Sequence, residues 1–159
     1  MFIKGKKPRY VEEREEAEAI AQELGLKYVE PVPVLGYVPA GFPSEIPEDC
    51  IIEWVSLPEV PKGCFVFKAK GDSMSPTIRD GDYIVVKPVQ DPELEIFSQK
   101  IVMYQDEWGE VALKRLKKKD GKYYLVPENP EYPTLEFDPE RHRLLGKVLS
   151  IWRRFKLEE

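Results

Sequence analysis

The stretch EVALKRLKKKDGKYYLV, residues 110–126, decides the fold. Two runs rich in Val, Leu and Tyr flank Asp120-Gly121. An Asp-Gly pair between such runs is the signal of a two-residue type I′ turn, whose central residues both need positive φ. The stretch therefore predicts a β-hairpin. Along its first arm side chains alternate between faces, with Val111, Leu113 and Arg115 on one and Ala112, Lys114 and Leu116 on the other. Lys114 thus has apolar neighbours two residues away on its own side, an unusual setting for a charge.

Working outward, CFVFKAK (64–70), DYIVVKPV (82–89), KIVMYQ (100–105) and LLGKVLSIWRRF (144–155) have the same strand composition. No crossover-length helix separates them, so the expected fold is a mostly β, mostly antiparallel domain from about Cys50 onward. Upstream, Ala17, Ile20, Ala21 and Leu24 recur at helical spacing, and Gly25 is a natural stop, which predicts a short N-terminal helix over 11–24. Glu12, Glu13, Glu15 and Glu16 suit its positive N-terminal end. Its apolar stripe is narrow and alanine-rich and needs a partner surface. Between helix and β domain lies PVPVLGYVPAGFPSEIPE (31–48), with five prolines and two glycines. Proline fixes φ and removes a donor, so this is an extended segment or loop. It is too apolar for a solvated linker and needs a groove to lie in. Three parts follow: a basic leader and linker helix (1–30), the proline-rich segment (31–48) and the β domain (49–159).

Composition narrows the function. The chain has 159 residues, 42% of them hydrophobic and 33% charged, which fits one packed domain with a short appendage. No stretch approaches the roughly 18 apolar residues a membrane span needs, and no export leader is visible, so a cytoplasmic location is expected. Cys50 and Cys64 are too few for a disulfide framework and read as buried or half-buried thiols in a reducing compartment. The single histidine, His142, sits between two arginines and reads as solvated surface. Zinc sites of several His and Cys, and a Ser-His-Asp triad, are thereby disfavoured. No cofactor or metal is expected. A net charge of −5 offers no overall footprint for nucleic acid. The basic runs 4–9 and 114–119 read as local, solvated ends.

Ser73 lies in GDSMSPTIRDGD (71–82), after a strand and the flexible Gly71. A serine at such a corner can present its hydroxyl beside exposed backbone N–H groups, although turn serines are common. Lys114 changes the balance. A free lysine has a pKa of about 10.4 and is no base near neutrality, but burial lowers that value by up to several units. A neutral amine beside a serine can then take the hydroxyl proton.

GDSM…I.DGD, then V.LKRL, then LVPENPEY, resembles in order and spacing the self-cleaving serine–lysine peptidase domain of LexA, UmuD and phage CI-type repressors. Ser73 and Lys114 stand 41 positions apart, close to that family's interval, and the resemblance runs from about Val32 to Phe155. It implies a LexA/signal-peptidase-like antiparallel β fold, Ser73 as nucleophile, Lys114 as base, and an oxyanion hole from the backbone of Asp72 and Ser73. It makes 31–48 a cleavage loop whose scissile bond joins Ala40 to Gly41, with Pro39 before it as a departure bearing on rate. The implied partners are a second copy of the chain, through the β domain and its C-terminal strand near Ile151–Phe155, and the RecA filament of the SOS response to DNA damage. DNA is implied only through an N-terminal domain absent from this chain. The expected role is the C-terminal domain of a LexA-like repressor. One alternative is a stand-alone UmuD-like protein whose cleavage activates a translesion polymerase, for which AGFPSEI (40–46) speaks. Another is a catalytically silent dimerisation module. A leader peptidase shares the chemistry but requires a membrane anchor.

Overall fold

The structure is a computed structural model that describes residues 14–36, 45–90 and 93–155. Among them one α-helix forms, α1 (Arg14–Glu23). It ends as Gly25 predicts: Leu26 N–H reaches the Ala21 carbonyl at 2.7 Å and Gly25 N–H the Gln22 carbonyl at 3.1 Å, with Gly25 at φ 71°. That is a Schellman stop. The start expected over residues 11–13 lies outside the described residues. No residue of α1 is buried, and Ile20 and Leu24 stay exposed. Among the described residues nothing buries the apolar stripe of α1.

The chain divides into two compact units, Met1–Phe67 and Lys68–Glu159. The first carries β1 (Val32–Leu35), β2 (Ile51–Val55) and the body of β3 (Phe65–Lys68). Here the structure refines the reading of the proline-rich segment. Its first part is a strand, antiparallel to β2 (Val32↔Val55) and parallel to β3 (Val34↔Val66). The hydrogen bonds that proline-rich backbone lacked internally come from these ladders. Val34, Leu35, Cys50, Ile51 and Val66 are buried. Cys50 is buried and Cys64 half-buried.

The second unit is an antiparallel sheet. Its strands are β4 (Tyr83–Pro88), β5 (Ile101–Gln105), β6 (Val111–Lys119), β7 (Lys122–Val126), β8 (Leu135–Glu136) and β9 (Arg143–Trp152). Their order is β4-β9-β5-β6-β7-β8. Asp120 and Gly121 sit at φ 52° and 78°, the double positive φ of a type I′ turn, and β6 and β7 pair from Lys119↔Lys122 to Arg115↔Val126. The long β9 runs between β4 and β5. It approaches β4 closely at Gly146, where a Cβ would stand 2.8 Å from the Lys87 carbonyl oxygen. Only glycine fits there.

Alternation then sorts the faces. Phe97, Val102, Tyr104, Leu116, Leu125 and Leu144 form one buried cluster, with Ala112 and Phe137 packed against it. At about 25 cal/mol per Å² of apolar surface, each such side chain contributes roughly 1.5–3 kcal/mol. His142 departs from expectation. It is half-buried, with its ring edge-on to Tyr104 at 5.6 Å and tilted against Phe137, and its Nδ1 accepts the Asp138 N–H at 3.0 Å. The flanking arginines suggested solvent, but the two aromatic rings cover it. Among the described residues the fold is thus mostly β with one short helix, as the sequence predicts.

Candidate active site

Two features of the second unit build the site. The first is the corner between β3 and β4. Backbone bonds close it at its base: Ala69 N–H to Asp82 O and Gly81 N–H to Ala69 O, both at 2.8 Å. Gly71 N–H is taken by Asp80 Oδ1 at 2.8 Å. Met74 and Ile78 are buried and anchor the loop. Ile78 N–H donates to Met74 O, and Ser75 N–H to Asp72 O. Ser73 is left half-buried between these anchors.

Asp82, at the end of this corner, is 2% exposed. Its carboxylate takes two bonds from Arg153, Nε to Oδ1 at 2.8 Å and Nη2 to Oδ2 at 2.7 Å, plus the Arg79 N–H at 2.7 Å. The Arg153 guanidinium, outweighing the opposing effect of burial, holds the Asp82 carboxyl below the usual carboxylate range.

The second feature is Lys114, on β6. Its cross-strand partner is Val102, and Ala112 and Leu116 flank it on its own face, as the alternation predicts. Both belong to or pack on the buried cluster. The lysine stem therefore lies against apolar surface and the residue is only 9% exposed. Its Nζ donates to Ser73 Oγ at 3.0 Å and to the Leu113 carbonyl at 3.1 Å. Among the described residues no carboxylate pairs with it. Burial pushes the Lys114 pKa down, since removing water penalises the charged form.

A third segment meets these two. Asn129 N–H donates to Ser73 O at 3.0 Å, Asn129 Nδ2 donates to Asp72 O at 3.2 Å, and the Tyr132 hydroxyl donates to Asp72 Oδ1. Sequence reasoning used LVPENPEY only as part of a resemblance and assigned its residues no role. The one local signal was Asn129-Pro130, a turn-former. The Asp82–Arg153 pair also went unnoticed.

Of the residues expected to act together, Asp72, Ser73 and Lys114 are thus in one place. Ala40 and Gly41 lie outside the described residues. A hydroxyl within hydrogen-bonding reach of a desolvated amine is the arrangement of an activated nucleophile.

The family pattern described as Peptidase S24-like matches residues 33–149. The chain belongs to the Peptidase S24-like family. The matched span contains Ser73, Lys114 and Asn129. Among curated proteins the chain is similar to the LexA repressor of Magnetococcus marinus, 35% identical over 144 residues that make up 89% of this chain and 60% of that protein. It is similar also to the LexA repressor of Frankia alni, 36% identical over 77% of this chain and 47% of that protein. That of Deinococcus radiodurans is 31% identical over 76% and 58%. The chain thus spans about half to three fifths of the length of these relatives. Among the described residues no helix is long and apolar enough to cross a membrane, and no cluster of His, Cys, Asp and Glu could hold a metal ion.

Proposed function

We propose that this chain is the self-cleaving C-terminal part of a LexA-like repressor and that it severs its own Ala40–Gly41 bond with Ser73 and Lys114. The observation that carries this reading is the 3.0 Å contact from Lys114 Nζ to Ser73 Oγ, made by a lysine whose own face of the strand is apolar. Desolvation raises the neutral fraction of Lys114 at any given pH, so the amine can act as a base where an exposed lysine would not.

In the proposed reaction Lys114 takes the Ser73 proton while Oγ bonds to the Ala40 carbonyl carbon. The resulting oxyanion is held by the backbone N–H groups of Asp72 and Ser73. Lys114 returns its proton to the Gly41 nitrogen, the C–N bond breaks and an Ala40 ester on Ser73 remains. Water, deprotonated by Lys114, then hydrolyses the ester to free the Ala40 carboxylate and restore Ser73.

Because the scissile bond and the site share one chain, the rate is proportional to the fraction of molecules with the loop docked. A partner that binds the docked state better raises that fraction. The RecA filament is the proposed partner, in the SOS response to DNA damage, with derepression of transcription as the outcome and the cytoplasm as the setting. A homodimer through the second unit fits β9. Beyond Lys147 this strand pairs only with β4 among the described strands, and Phe155 is 76% exposed.

Incubation of the purified protein over a range of alkaline pH, followed by mass spectrometry, tests the proposal. Fragments ending at Ala40 and beginning at Gly41 are expected, forming faster as pH rises and absent in Ser73→Ala. No break at that bond, with Ser73→Ala indistinguishable from wild type, would remove the mechanism.

A further inference from the structure

The proposed reaction uses Ser73, Lys114 and two backbone N–H groups, but the geometry shows a further residue bearing on them. Asn129 opens a turn. Its Oδ1 accepts the Glu131 N–H at 3.0 Å, its carbonyl accepts the Tyr132 N–H at 3.2 Å, and Pro130 sets φ between them. The first of these bonds locks the side chain. With Oδ1 occupied, the amide's other end, Nδ2, is directed to the Asp72 carbonyl. Asparagine has an acceptor for the turn and, at the far end of the same amide, a donor to spare; ionised aspartate has no donor, and serine's single hydroxyl lies one bond nearer the backbone.

The Asp72 carbonyl belongs to the same rigid plane as the Ser73 N–H. In a trans peptide these two groups point in opposite directions. The Asp72 carbonyl also accepts the Ser75 N–H at 3.0 Å, and the Asn129 Nδ2 bond adds a second restraint from outside the corner. With the carbonyl so held the Ser73 N–H points the other way, and among the described residues nothing accepts that N–H. A second bond, from Asn129 N–H to the Ser73 carbonyl, holds the next plane. Tyr132 ties the Asp72 side chain from the same turn. An oxyanion donor stabilises a transition state only if it is aimed before charge develops, because reorientation during the reaction costs what the bond gains.

We infer that Asn129 is a positioning residue of this site: together with the Ser75 N–H it fixes the Asp72–Ser73 peptide plane and so aims the Ser73 N–H at the oxyanion. The inference rests on the proposed Ser73–Lys114 reading. It contacts the peptide and not the amine, and that gives it a signature. Loss of Asn129 lowers the rate at every pH and leaves the pH midpoint, which belongs to Lys114, where it was.

The test uses the full chain and diisopropyl fluorophosphate, which needs no docked loop. Ser73 Oγ bonds to phosphorus, fluoride leaves, and the proton passes to Lys114. The rate of adduct formation is followed by intact mass against pH for wild type, Ser73→Ala, Asn129→Ser and Tyr132→Phe. Asn129→Ser retains a turn-forming acceptor, adds no charge and draws its only donor, the hydroxyl, one bond back from the position Nδ2 holds against the Asp72 carbonyl. The expected result is a plateau lower by at least about tenfold for Asn129→Ser, an unmoved midpoint, a melting temperature close to wild type, and a smaller loss for Tyr132→Phe. Should Asn129→Ser fail to fold, Asn129→Asp, the same shape without the donor, carries the same expectation for the plateau. A variant rate within roughly twofold of wild type, or a shifted midpoint with the plateau kept, overturns the inference and leaves the Ser73 reading standing. A wild-type protein that reacts no faster than Ser73→Ala removes both.

Discussion

Asp82 and Lys114 are the two charged residues buried among the described residues, and the second unit treats them in opposite ways. Asp82 is given a guanidinium in bidentate geometry and a backbone N–H, so its charge is held. Lys114 is given a hydroxyl, a carbonyl and an apolar strand face, and no carboxylate among the described residues. Burial alone would neutralise both. The partner decides which does so. A paired ion tethers the base of the corner to the segment after β9, whereas an unpaired amine is poised to lose its proton. One is suited to holding position; the other, on the proposed reading, to chemistry.

The comparison breaks most visibly at Lys114 itself. Lys114→Met should reduce self-cleavage, and the fluorophosphate reaction with it, by about 10²–10⁴-fold, the range for loss of a general base. Time courses read by gel or mass spectrometry check this. An unchanged rate would mean the amine is no base.

Supplying the missing counter-charge should move Lys114 toward the condition of Asp82. Ala112→Glu places a carboxylate two residues away on the same face, and a nearby opposite charge favours the charged amine. The midpoint of the pH–rate profile is expected to rise by about one unit or more, equivalent to a tenfold slower reaction below the midpoint.

Removing a charge that is paired should cost stability instead of activity. Asp82→Asn keeps the shape and loses the ion pair, and its melting temperature at neutral pH should fall by roughly 5 °C or more. The sign of its pH dependence follows from a folded-state pKa held low. The stabilisation is present above the ordinary carboxylate value of about 3.9 and disappears as pH falls through the lowered one. The gap between wild type and Asp82→Asn should close in that acidic window.

The smallest expected effect mirrors this on the alkaline side. A lysine pKa lowered by folding means the unfolded chain binds more protons between the lowered value and about 10.4, so stability rises with pH across that window. Lys114→Met should lack this slope and melt no lower than wild type at neutral pH, because it buries a similar apolar stem without an ammonium. Melting curves at a series of pH values separate the two.

How far these features were legible depends on how local their causes are. The hairpin, the helix stop and the faces of β6 follow from neighbours within a few residues, and all were readable. Ser73 and Lys114 drew notice locally, one standing in a corner and the other in an apolar stripe, but it was the family resemblance that gave them roles. The pairing of Val32–Leu35 was not readable, since prolines hid a strand whose ladders come from β2 and β3. His142 was misjudged because its cover, Tyr104 and Phe137, is remote from the arginines beside it. Arg153 reaches Asp82 across 71 positions and Asn129 reaches Asp72 across 57. Nothing near either residue announces its partner.

By itself the sequence determined the strands β3 to β7 and β9, the turn that joins β6 to β7, the stop of α1, and the two side chains worth suspecting, because each depends on backbone preferences and side-chain periodicity over a single turn or strand. Only the tertiary structure decided that the amine lies buried against the hydroxyl, that Asp82 is paired with Arg153, and that Asn129 grips the Asp72–Ser73 peptide. Those outcomes depend on which groups share a volume from which water has been removed, and a pKa or a hydrogen bond is set by that volume, not by position along the chain.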